Sequence, residues 1–349
     1  MKKSSKAISF ILAGVMAMAL SACGSKPAET AAASESGKQE ETTAAAQSKE
    51  EEKSAAAKTA EGKEFKIGVL QLVQHTALDA ANKGFIAALD DSGIHYTVDQ
   101  QNASGDQSTC QTIASKLVND GDDLILAIAT PAAQAVAGST SDIPVLVTAV
   151  TDPAESHLVE SNETPGGNVS GTSDLTPVKE QIDLLKQLLP DAKTVGILYS
   201  SAESNSVIQA DMARDAIEAQ GMKSVDYTVS NSNEIQTVIT SMVGKVDAIY
   251  APTDNTIAAG MTTVGMVAEE NKIPVVCGEE GMVKAGGLAT YGIDYYELGY
   301  LTGQQAVKIL SEGGDISKMP IEYLPKDKCK LSVNEEMAKA LGIDISGLK

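Results

Sequence analysis

The chain has 349 residues, with 47 acidic side chains, 27 basic ones and a formal net charge of −20. Such a charge argues against nucleic acid as a partner, because no basic groove is available to neutralise phosphates. Arg214 is the sole arginine, which excludes a clamp of several guanidinium groups on an anionic ligand. Tryptophan is absent, so aromatic stacking on a ligand would depend on tyrosine.

The N-terminus has the pattern of a secretory leader. Three lysines precede the apolar run 7–20, which is shorter than the ~20 residues of a membrane-spanning helix. The run ends in Leu20-Ser21-Ala22-Cys23, which resembles a bacterial lipoprotein signal, whose cysteine thiol is lipidated and becomes the first mature residue. We therefore expect a signal peptide over residues 1–22 and a lipid anchor on Cys23. The alternative is an ordinary leader that ends near a cysteine.

Residues 23–63 comprise this cysteine and a polar stretch rich in Ala, Ser, Thr, Glu and Lys. The stretch has no aromatic side chain and almost no branched aliphatic one, so it cannot bury enough apolar surface to offset its chain entropy. It is expected to be a disordered spacer between the lipid and a folded domain.

From Phe65 onwards short apolar runs alternate with helical stretches. The predicted order in the first half is strand 66–70, helix 77–92, strand 96–99, helix 107–120, strand 124–128, helix 131–137 and strand 145–147. Gly93 and Gly121 each follow a predicted helix, as C-cap glycines do. Continuously apolar strands between helices are typical of a parallel sheet covered on both faces.

The alternation then restarts. The predicted order is helix 178–188, strand 194–199, helix 205–220, strand 224–229, helix 232–243, strand 248–250, helix 258–271, strands 274–276 and 287–291, helix 295–311 and strand 321–324. Ile143-Pro144-Val145 matches Ile273-Pro274-Val275 at corresponding places in the two halves. We expect an α/β fold of two similar doubly wound parallel-sheet lobes with a ligand cleft between them. The expected lobes are 64–172 with about 292–318, and 173–291 with about 319–349, and hinges are expected near 170–174 and 291–295.

A set of segments, in order along the domain, resembles a known family. They are His75-Thr76-Ala77-Leu78-Asp79, Lys83-Gly84-Phe85, Ala129-Thr130-Pro131-Ala132-Ala133-Gln134, Ala149-Val150-Thr151-Asp152-Pro153, Asn168-Val169-Ser170-Gly171-Thr172-Ser173-Asp174, Tyr199-Ser200-Ser201-Ala202-Glu203-Ser204-Asn205-Ser206, Pro252-Thr253-Asp254-Asn255, Gly278-Glu279-Glu280 and Gly292-Ile293-Asp294-Tyr295-Tyr296-Glu297-Leu298-Gly299. Together they resemble the type I periplasmic-binding-protein fold, and more closely the ABC-transporter substrate-binding lipoproteins of the tryptophan/tyrosine-type family. The resemblance implies capture of a small molecule, often an aromatic amino acid, for delivery to a membrane permease.

Nearly all of these segments directly follow predicted strands, where open parallel sheets bind ligands. The hydroxyls and free amides of residues 200–206 offer a carboxylate site without arginine, although each serine could equally serve as a helix cap. Thr130 opens another helix, with Pro131 in its first turn. Asp254 and Glu279 are the leading partners for a ligand ammonium group, followed by Asp294 and Asp152, for which a turn at Asp152-Pro153 is slightly favoured.

His75 follows the first strand and is either a ligand group or a packing residue. Tyr291 and Tyr295 either wall the pocket or pack at the hinge. The expected ligand-binding residues are His75, Thr76, Thr130, Ala132, Val150, Thr151, Asp152, Ser200, Ser201, Asn205, Ser206, Thr253, Asp254, Glu279, Tyr291 and Asp294.

No catalytic or metal-binding set is apparent. Gly-x-Ser-x-Gly is missing, no glycine-rich phosphate loop follows a strand, and the three histidines lack metal-ligand spacing. We expect no enzyme activity, no cofactor and no metal. Cys110, Cys277 and Cys329 are free thiols or include one disulfide.

These patterns favour an extracytoplasmic, lipid-anchored solute-binding protein of an ABC importer. Its expected partners are a membrane permease and a zwitterionic amino acid with an aromatic or large apolar side chain, and a monomer is expected. One alternative is a ligand sensor that reports to a membrane receptor without transport, and an extracellular hydrolase is a more distant one.

Overall fold

The computed structural model describes residues 62–348. The expected leader, Cys23 and nearly all of the spacer lie outside the described residues. No helix within the described range is long and apolar enough to cross a membrane.

Strands and helices alternate along the described chain. The strands are β1 (Glu64–Gln71), β2 (His95–Asn102), β3 (Leu124–Ile128), β4 (Val145–Val150), β5 (Val169–Ser173), β6 (Thr194–Ser200), β7 (Lys223–Val229), β8 (Ala248–Ala251), β9 (Val275–Cys277), β10 (Ala289–Gly292), β11 (Glu322–Tyr323) and β12 (Lys330–Val333). The α-helices are α1 (Thr76–Ser92), α2 (Gln107–Asp120), α3 (Thr130–Ala137), α4 (Val178–Leu188), α5 (Ser204–Ala219), α6 (Ile235–Met242), α7 (Asn255–Ala259), α8 (Met261–Glu270), α9 (Glu280–Lys284), α10 (Tyr295–Glu312) and α11 (Glu335–Leu341).

The strands form two six-stranded sheets with corresponding strand orders. The first has the order β11-β5-β4-β3-β1-β2 and the second β12-β10-β9-β8-β6-β7. All pairs in the first sheet are parallel, whereas β12 runs antiparallel to β10 at the edge of the second. The predicted α/β fold of two similar lobes is therefore confirmed, with one antiparallel edge strand that the sequence pattern did not predict.

Burial explains why the central strands are continuously apolar. All residues of β3, β4 and β8 are buried, because helices cover both faces of each sheet. The helices end where glycine can adopt the left-handed conformation: Gly93 has φ 73° after α1, and Gly121 has φ 70° after α2. The first lobe has one apolar core around Phe85 and Leu126, which holds its layers together.

The chain crosses between the lobes three times. It leaves the first sheet after β5, returns after β10 to form α10, and crosses again between β11 and β12. Because β11 pairs with β5, Glu322 and Tyr323 lie with the first lobe, whereas the expected crossing was at about residue 319. The expected hinge at 170–174 is mostly strand, since β5 continues to Ser173.

The long helix α10 is fixed to the first lobe by close packing on α1. A Cβ on Gly84 would stand 2.0 Å from the carbonyl oxygen of Tyr296, and one on Gly299 would stand 1.9 Å from that of Ala81. Glycine at these positions lets the two helix backbones touch, so α10 moves with the first lobe although it follows a strand of the second.

Candidate functional site: the cleft between the lobes

A small cavity lies between the carboxyl ends of the strands of the two sheets. Its lining residues are His75, Ala77, Leu78, Ala149, Asp174, Asn205, Thr253, Asp254, Asn255, Ala258, Glu279 and Tyr295. Its volume is about 10 Å³, room for about one water molecule. Both lobes contribute walls, so the cavity exists only while the lobes are together.

Hydrogen bonds across the cleft hold the lobes in this closed arrangement. His75 Nε2 lies 3.2 Å from Asn255 Oδ1, and Gln209 Nε2 donates to Thr151 Oγ1 at 3.0 Å. Further out, Gln107 Nε2 donates to the carbonyl oxygen of Ala202 at 3.0 Å. Each of these pairs joins a residue of the first lobe to one of the second.

The cavity is strongly acidic. Asp174, Asp254 and Glu279 line it and are each at most 4% exposed, and Glu203 is buried beside it. Among the described residues, no lysine or arginine lines the cavity. Burial raises the pKa of Asp174 to about 6 and that of Glu279 to about 7. The pKa of Asp254 is also raised, by burial and by the neighbouring Glu203 carboxylate.

The two acids expected to bind an ammonium group are both helix caps. Asp254 Oδ1 accepts from Ile257 N at 2.7 Å, and its Oδ2 accepts from Ser200 N at 2.5 Å. Glu279 accepts from Gly281 N and Met282 N at the start of α9. These carboxylates face the cavity, but their oxygens already serve backbone donors.

Asp174 has a different environment. Tyr295 donates its hydroxyl proton to Asp174 Oδ2 at 2.7 Å, whereas Oδ1 is buried and has no hydrogen-bond partner. The hydroxyl of Tyr295 lowers the pKa of Asp174 and so partly offsets its burial. Asp174 was not among the expected binding residues, because the short strand before it has no apolar run. Of the three acids that line the cavity, Asp174 is the one with a carboxylate oxygen that accepts no hydrogen bond.

Three more buried atoms of lining residues have no hydrogen-bond partner. They are His75 Nδ1, Asn205 Oδ1 and Thr253 Oγ1. The Asn205 amide is oriented by Nδ2, which donates to the Thr253 carbonyl at 3.2 Å, so its oxygen is the free atom. Buried polar groups are normally paired, so this cluster points to a polar ligand group.

The other expected residues lie around the cavity without lining it. Thr151 and Ser206 are buried next to it, and Ser200 caps the start of the 201–206 segment by accepting from Ala202 N at 3.3 Å. Val150 and Ala132 belong to the core of the first lobe, while Thr76 and Ser201 are exposed. Thr130 is fully buried at the first position of α3, and its Oγ1 has no partner.

Three expected residues have structural roles elsewhere. Asp152 Oδ1 accepts from Ala154 N at 3.1 Å, which is the turn favoured from the sequence. Asp294 is exposed and caps α10 through Tyr296 N at 2.9 Å. Tyr291 lines a groove of about 740 Å³ at the hinge rather than the cavity, whereas Tyr295 does line the cavity.

Sequence reasoning missed most of the apolar lining. Ala77, Leu78, Ala149 and Ala258 face the cavity, and only their position after strands could have indicated it. Asn255 was missed as well, although it directly follows Asp254. Alanine carries no chemical signal, so its place in a wall depends on the folded backbone.

The remaining groups have no part in the cavity. Arg214 forms surface ion pairs with Asp211 and Asp226. Cys110, Cys277 and Cys329 are free thiols, the first of the two alternatives. Within residues 62–348, no cluster of three or more His, Cys, Asp or Glu side chains is arranged to hold a metal ion.

Comparisons with known proteins agree with this architecture. Residues 66–347 match the family model of the ABC transporter substrate binding protein. The tyrosine-binding protein of Clostridioides difficile (strain R20291) is 43% identical over 346 residues, which cover 98% of this chain and 93% of that protein.

Two solved structures each match 82% of this chain over 97% of their own chain length. One is an ABC domain from Streptococcus pneumonia in complex with L-Trp, which is 40% identical with a TM-score of 0.79. The other is the ligand-free, open structure of a substrate binding protein with adhesive properties from Clostridium difficile, which is 46% identical with a TM-score of 0.62. The family is one of binding proteins and not of enzymes, and this chain belongs to it: it is an ABC transporter substrate-binding protein.

Proposed function

We propose that this protein captures a zwitterionic amino acid with an aromatic or large apolar side chain and delivers it to an ABC permease. The names of its relatives support this ligand class, since one is a tyrosine-binding protein and another was solved with L-Trp. The permease follows from membership of the family.

The acidic, cation-free cavity is the observation that carries the proposal. A buried charge without a partner costs several kcal/mol, so the unpaired Asp174 carboxylate oxygen, in a wall without lysine or arginine, favours a cationic ligand group. The free Oδ1 of Asp174 is the proposed counter-ion of the ligand ammonium group. A dianionic ligand would add negative charge to this cavity and is disfavoured.

For the ligand carboxylate we propose the start of α3. Pro131 occupies the first turn, and the buried Thr130 hydroxyl has no partner. The first amides of a helix have no intrahelical acceptor and attract anions. The carboxylate would therefore lie in the first lobe, with Ala77, Leu78 and Ala149 available to contact the side chain.

The comparisons also support closure on the ligand. The present structure is more similar to the L-Trp complex than to the open, ligand-free relative, although the open relative has the higher sequence identity. Sequence divergence would have the opposite effect, so we attribute the difference in TM-score to the relative position of the lobes. We infer that the lobes close on the ligand, in a form like the present one but with a cavity wider than its present volume of about 10 Å³.

We also propose that the domain is held at the extracytoplasmic face of the membrane by a lipid on Cys23. The support is the Leu20-Ser21-Ala22-Cys23 sequence and the polar composition of residues 24–63. A spacer of that composition gives a reach of tens of ångströms, enough to place a domain beside a permease.

Calorimetry with L-tryptophan, L-tyrosine, L-phenylalanine and L-leucine tests the ligand class, with glucose and uridine as controls. A thermal-shift experiment gives a second readout, because a ligand at 100 times its Kd adds about 2.7 kcal/mol of stability. If a control ligand binds and none of the four amino acids does, the ligand class is wrong. Loss of amino-acid uptake on deletion of the protein separates transport from sensing.

A further inference from the structure

Glu203 is a buried carboxylate that does not line the cavity. Its Oε1 accepts from the amide and the hydroxyl of Thr256, at 2.9 and 2.7 Å. Its Oε2 accepts from the side-chain Nδ2 and the backbone amide of Asn255, at 2.5 and 3.3 Å. Both oxygens are occupied as acceptors, because each takes two of these four hydrogen bonds.

The carboxylate thereby fixes the orientation of the Asn255 amide. Because Nδ2 of Asn255 must point to Glu203, its Oδ1 points the other way, to His75 Nε2 at 3.2 Å. An amide oxygen only accepts, so the hydrogen bond requires a proton on Nε2 of His75.

The state of the other imidazole nitrogen follows from this. Burial lowers the pKa of His75, which favours the neutral ring. A neutral imidazole has one N–H and one bare nitrogen, so a proton on Nε2 leaves Nδ1 as an acceptor. Nδ1 is one of the buried atoms in the cavity wall that have no hydrogen-bond partner.

We propose that Glu203 is a positioning residue: through Asn255 it holds His75 as the Nε2–H tautomer, and so presents Nδ1 as an acceptor to the ligand ammonium group. With Asp174 Oδ1 and Asn205 Oδ1, this gives three acceptors for the three N–H bonds of a primary ammonium ion. The fourth unpartnered atom of the wall, Thr253 Oγ1, belongs to a hydroxyl that can also donate. The inference rests on the proposed function for its ligand, but the tautomer can be measured without one.

The contacts that run from Glu203 through Asn255 to His75, here called the relay, also link the three ammonium acceptors to closure of the lobes. His75 and Asp174 belong to the first lobe, whereas Glu203, Asn205 and Asn255 belong to the second. Only the closed form brings Asn255 to His75, so only that form selects the tautomer. The ammonium group would therefore meet its full set of acceptors on closure.

Nitrogen NMR of protein labelled with ¹⁵N-histidine reads the tautomer directly. The chain has three histidines, and His95 and His157 are exposed, so the buried signal can be assigned with a His75→Gln variant. The closed form is prepared without ligand by joining Gln107→Cys to Ala202→Cys with a short bismaleimide in a Cys23→Ser, Cys329→Ser background, in which the remaining Cys110 and Cys277 are buried. We expect a protonated Nε2 and a bare Nδ1 at pH 7.5.

The Glu203→Gln variant tests the relay, with the exposed Glu218→Gln on α5 as a matched loss of charge. A glutamine can donate to Asn255 and let its amide turn, so we expect a mixed or reversed tautomer in Glu203→Gln and an unchanged one in Glu218→Gln. Affinity for L-tryptophan should fall by at least about tenfold in Glu203→Gln alone.

Two outcomes would overturn the relay. One is an Nδ1–H tautomer in the crosslinked parent protein, and the other is an unchanged tautomer in the crosslinked Glu203→Gln variant. Failure of L-tryptophan and the other amino acids to bind would instead contradict the proposed function, and it would leave the NMR reading intact.

Discussion

At the scale of single residues, the buried acids of the cleft differ in their hydrogen bonds. Two of them are used as helix caps, and one has an oxygen available to a ligand. Asp254 and Glu279 are close to the cavity but their oxygens cap helices. Asp174 keeps one oxygen free in the same cavity. An acidic residue between a strand and a helix lies at the cleft and can also cap the helix. The sequence does not show whether its oxygens bind a ligand or the helix amides.

Replacing Asp174 with Asn keeps the size of the side chain and removes its charge. We expect the affinity for L-tryptophan to fall by at least about tenfold, because a hydrogen bond to a charged group contributes about 1.5–3 kcal/mol. Calorimetry at pH 7.5 measures the change. Asp215→Asn, on the exposed face of α5, is the matched control. Equal affinity in Asp174→Asn and the parent would place the ammonium group elsewhere.

Ligand affinity should fall as the pH is lowered from 7.5 to 5. Asp174 has a pKa of about 6 and must be ionised to pair with an ammonium group, which itself stays charged over this range. Asp254, Glu279 and His75 line the same cavity and have shifted pKa values, and protonation of each also makes the cavity less negative. Calorimetry across the range measures the profile, and a flat profile would contradict an ionic partner.

The free energy of unfolding of the ligand-free domain should rise as the pH is lowered, whereas the ligand affinity should fall. Asp174 and Glu279 have folded-state pKa values of about 6 and 7, above the roughly 3.9–4.3 of unfolded chains. Their contribution to stability is present below about pH 4 and is lost as the pH rises through 6 to 7. Urea unfolding without ligand should therefore give a lower free energy of unfolding at pH 8 than at pH 5.5, and Asp174→Asn should reduce the difference.

At the scale of elements, apolar periodicity predicted the central strands and the long helices. It missed β5, whose Val169-Ser170-Gly171-Thr172-Ser173 is buried between β4 and β11 and against α10. It also missed β12, which pairs antiparallel with β10, and it merged α7 and α8, which are separated at Gly260. In each case, contacts distant in sequence decide the local structure.

The start of α9 meets the start of α1 across the cleft, and the contact leaves no room for a side chain. A Cβ on Gly281 would stand 3.0 Å from Thr76 Cβ and 2.9 Å from Glu279 Oε2. We expect Gly281→Ala to hinder closure and weaken ligand binding several-fold with little loss of stability. Thr76→Gly should partly restore the affinity of Gly281→Ala, since it removes the facing atom.

The control for this series is Gly167→Ala, because a Cβ on Gly167 would meet nothing within 4 Å. Calorimetry and thermal unfolding of the four proteins give the comparison. If Gly281→Ala weakens binding and adding Thr76→Gly does not restore it, the added methyl acts through Glu279 and not through the contact between the lobes.

At the scale of the whole molecule, two lobes joined by three crossings can open about the hinge while their cores stay intact. The first lobe's core and those of the second lobe are separate, so opening the cleft exposes only the surfaces that face it. We expect small-angle scattering to give a larger radius of gyration without ligand than with saturating L-tryptophan. An unchanged radius would contradict closure driven by ligand.

The segment that precedes the folded domain contains the cysteine proposed to carry the lipid. Cys23→Ser removes the thiol that a lipid would modify, while the domain from Phe65 onwards has its own cores and does not depend on that residue. We expect the variant to bind L-tryptophan with unchanged affinity, because residue 23 lies far along the chain from every residue of the cleft. The same variant should leave the detergent phase in a partitioning experiment, since a lipid chain contributes about 0.8 kcal/mol of membrane affinity per buried CH₂ group and serine carries none. Ser21→Thr tests whether any change near the cleavage site has this effect. If Cys23→Ser and the parent partition equally, the protein is not anchored through Cys23.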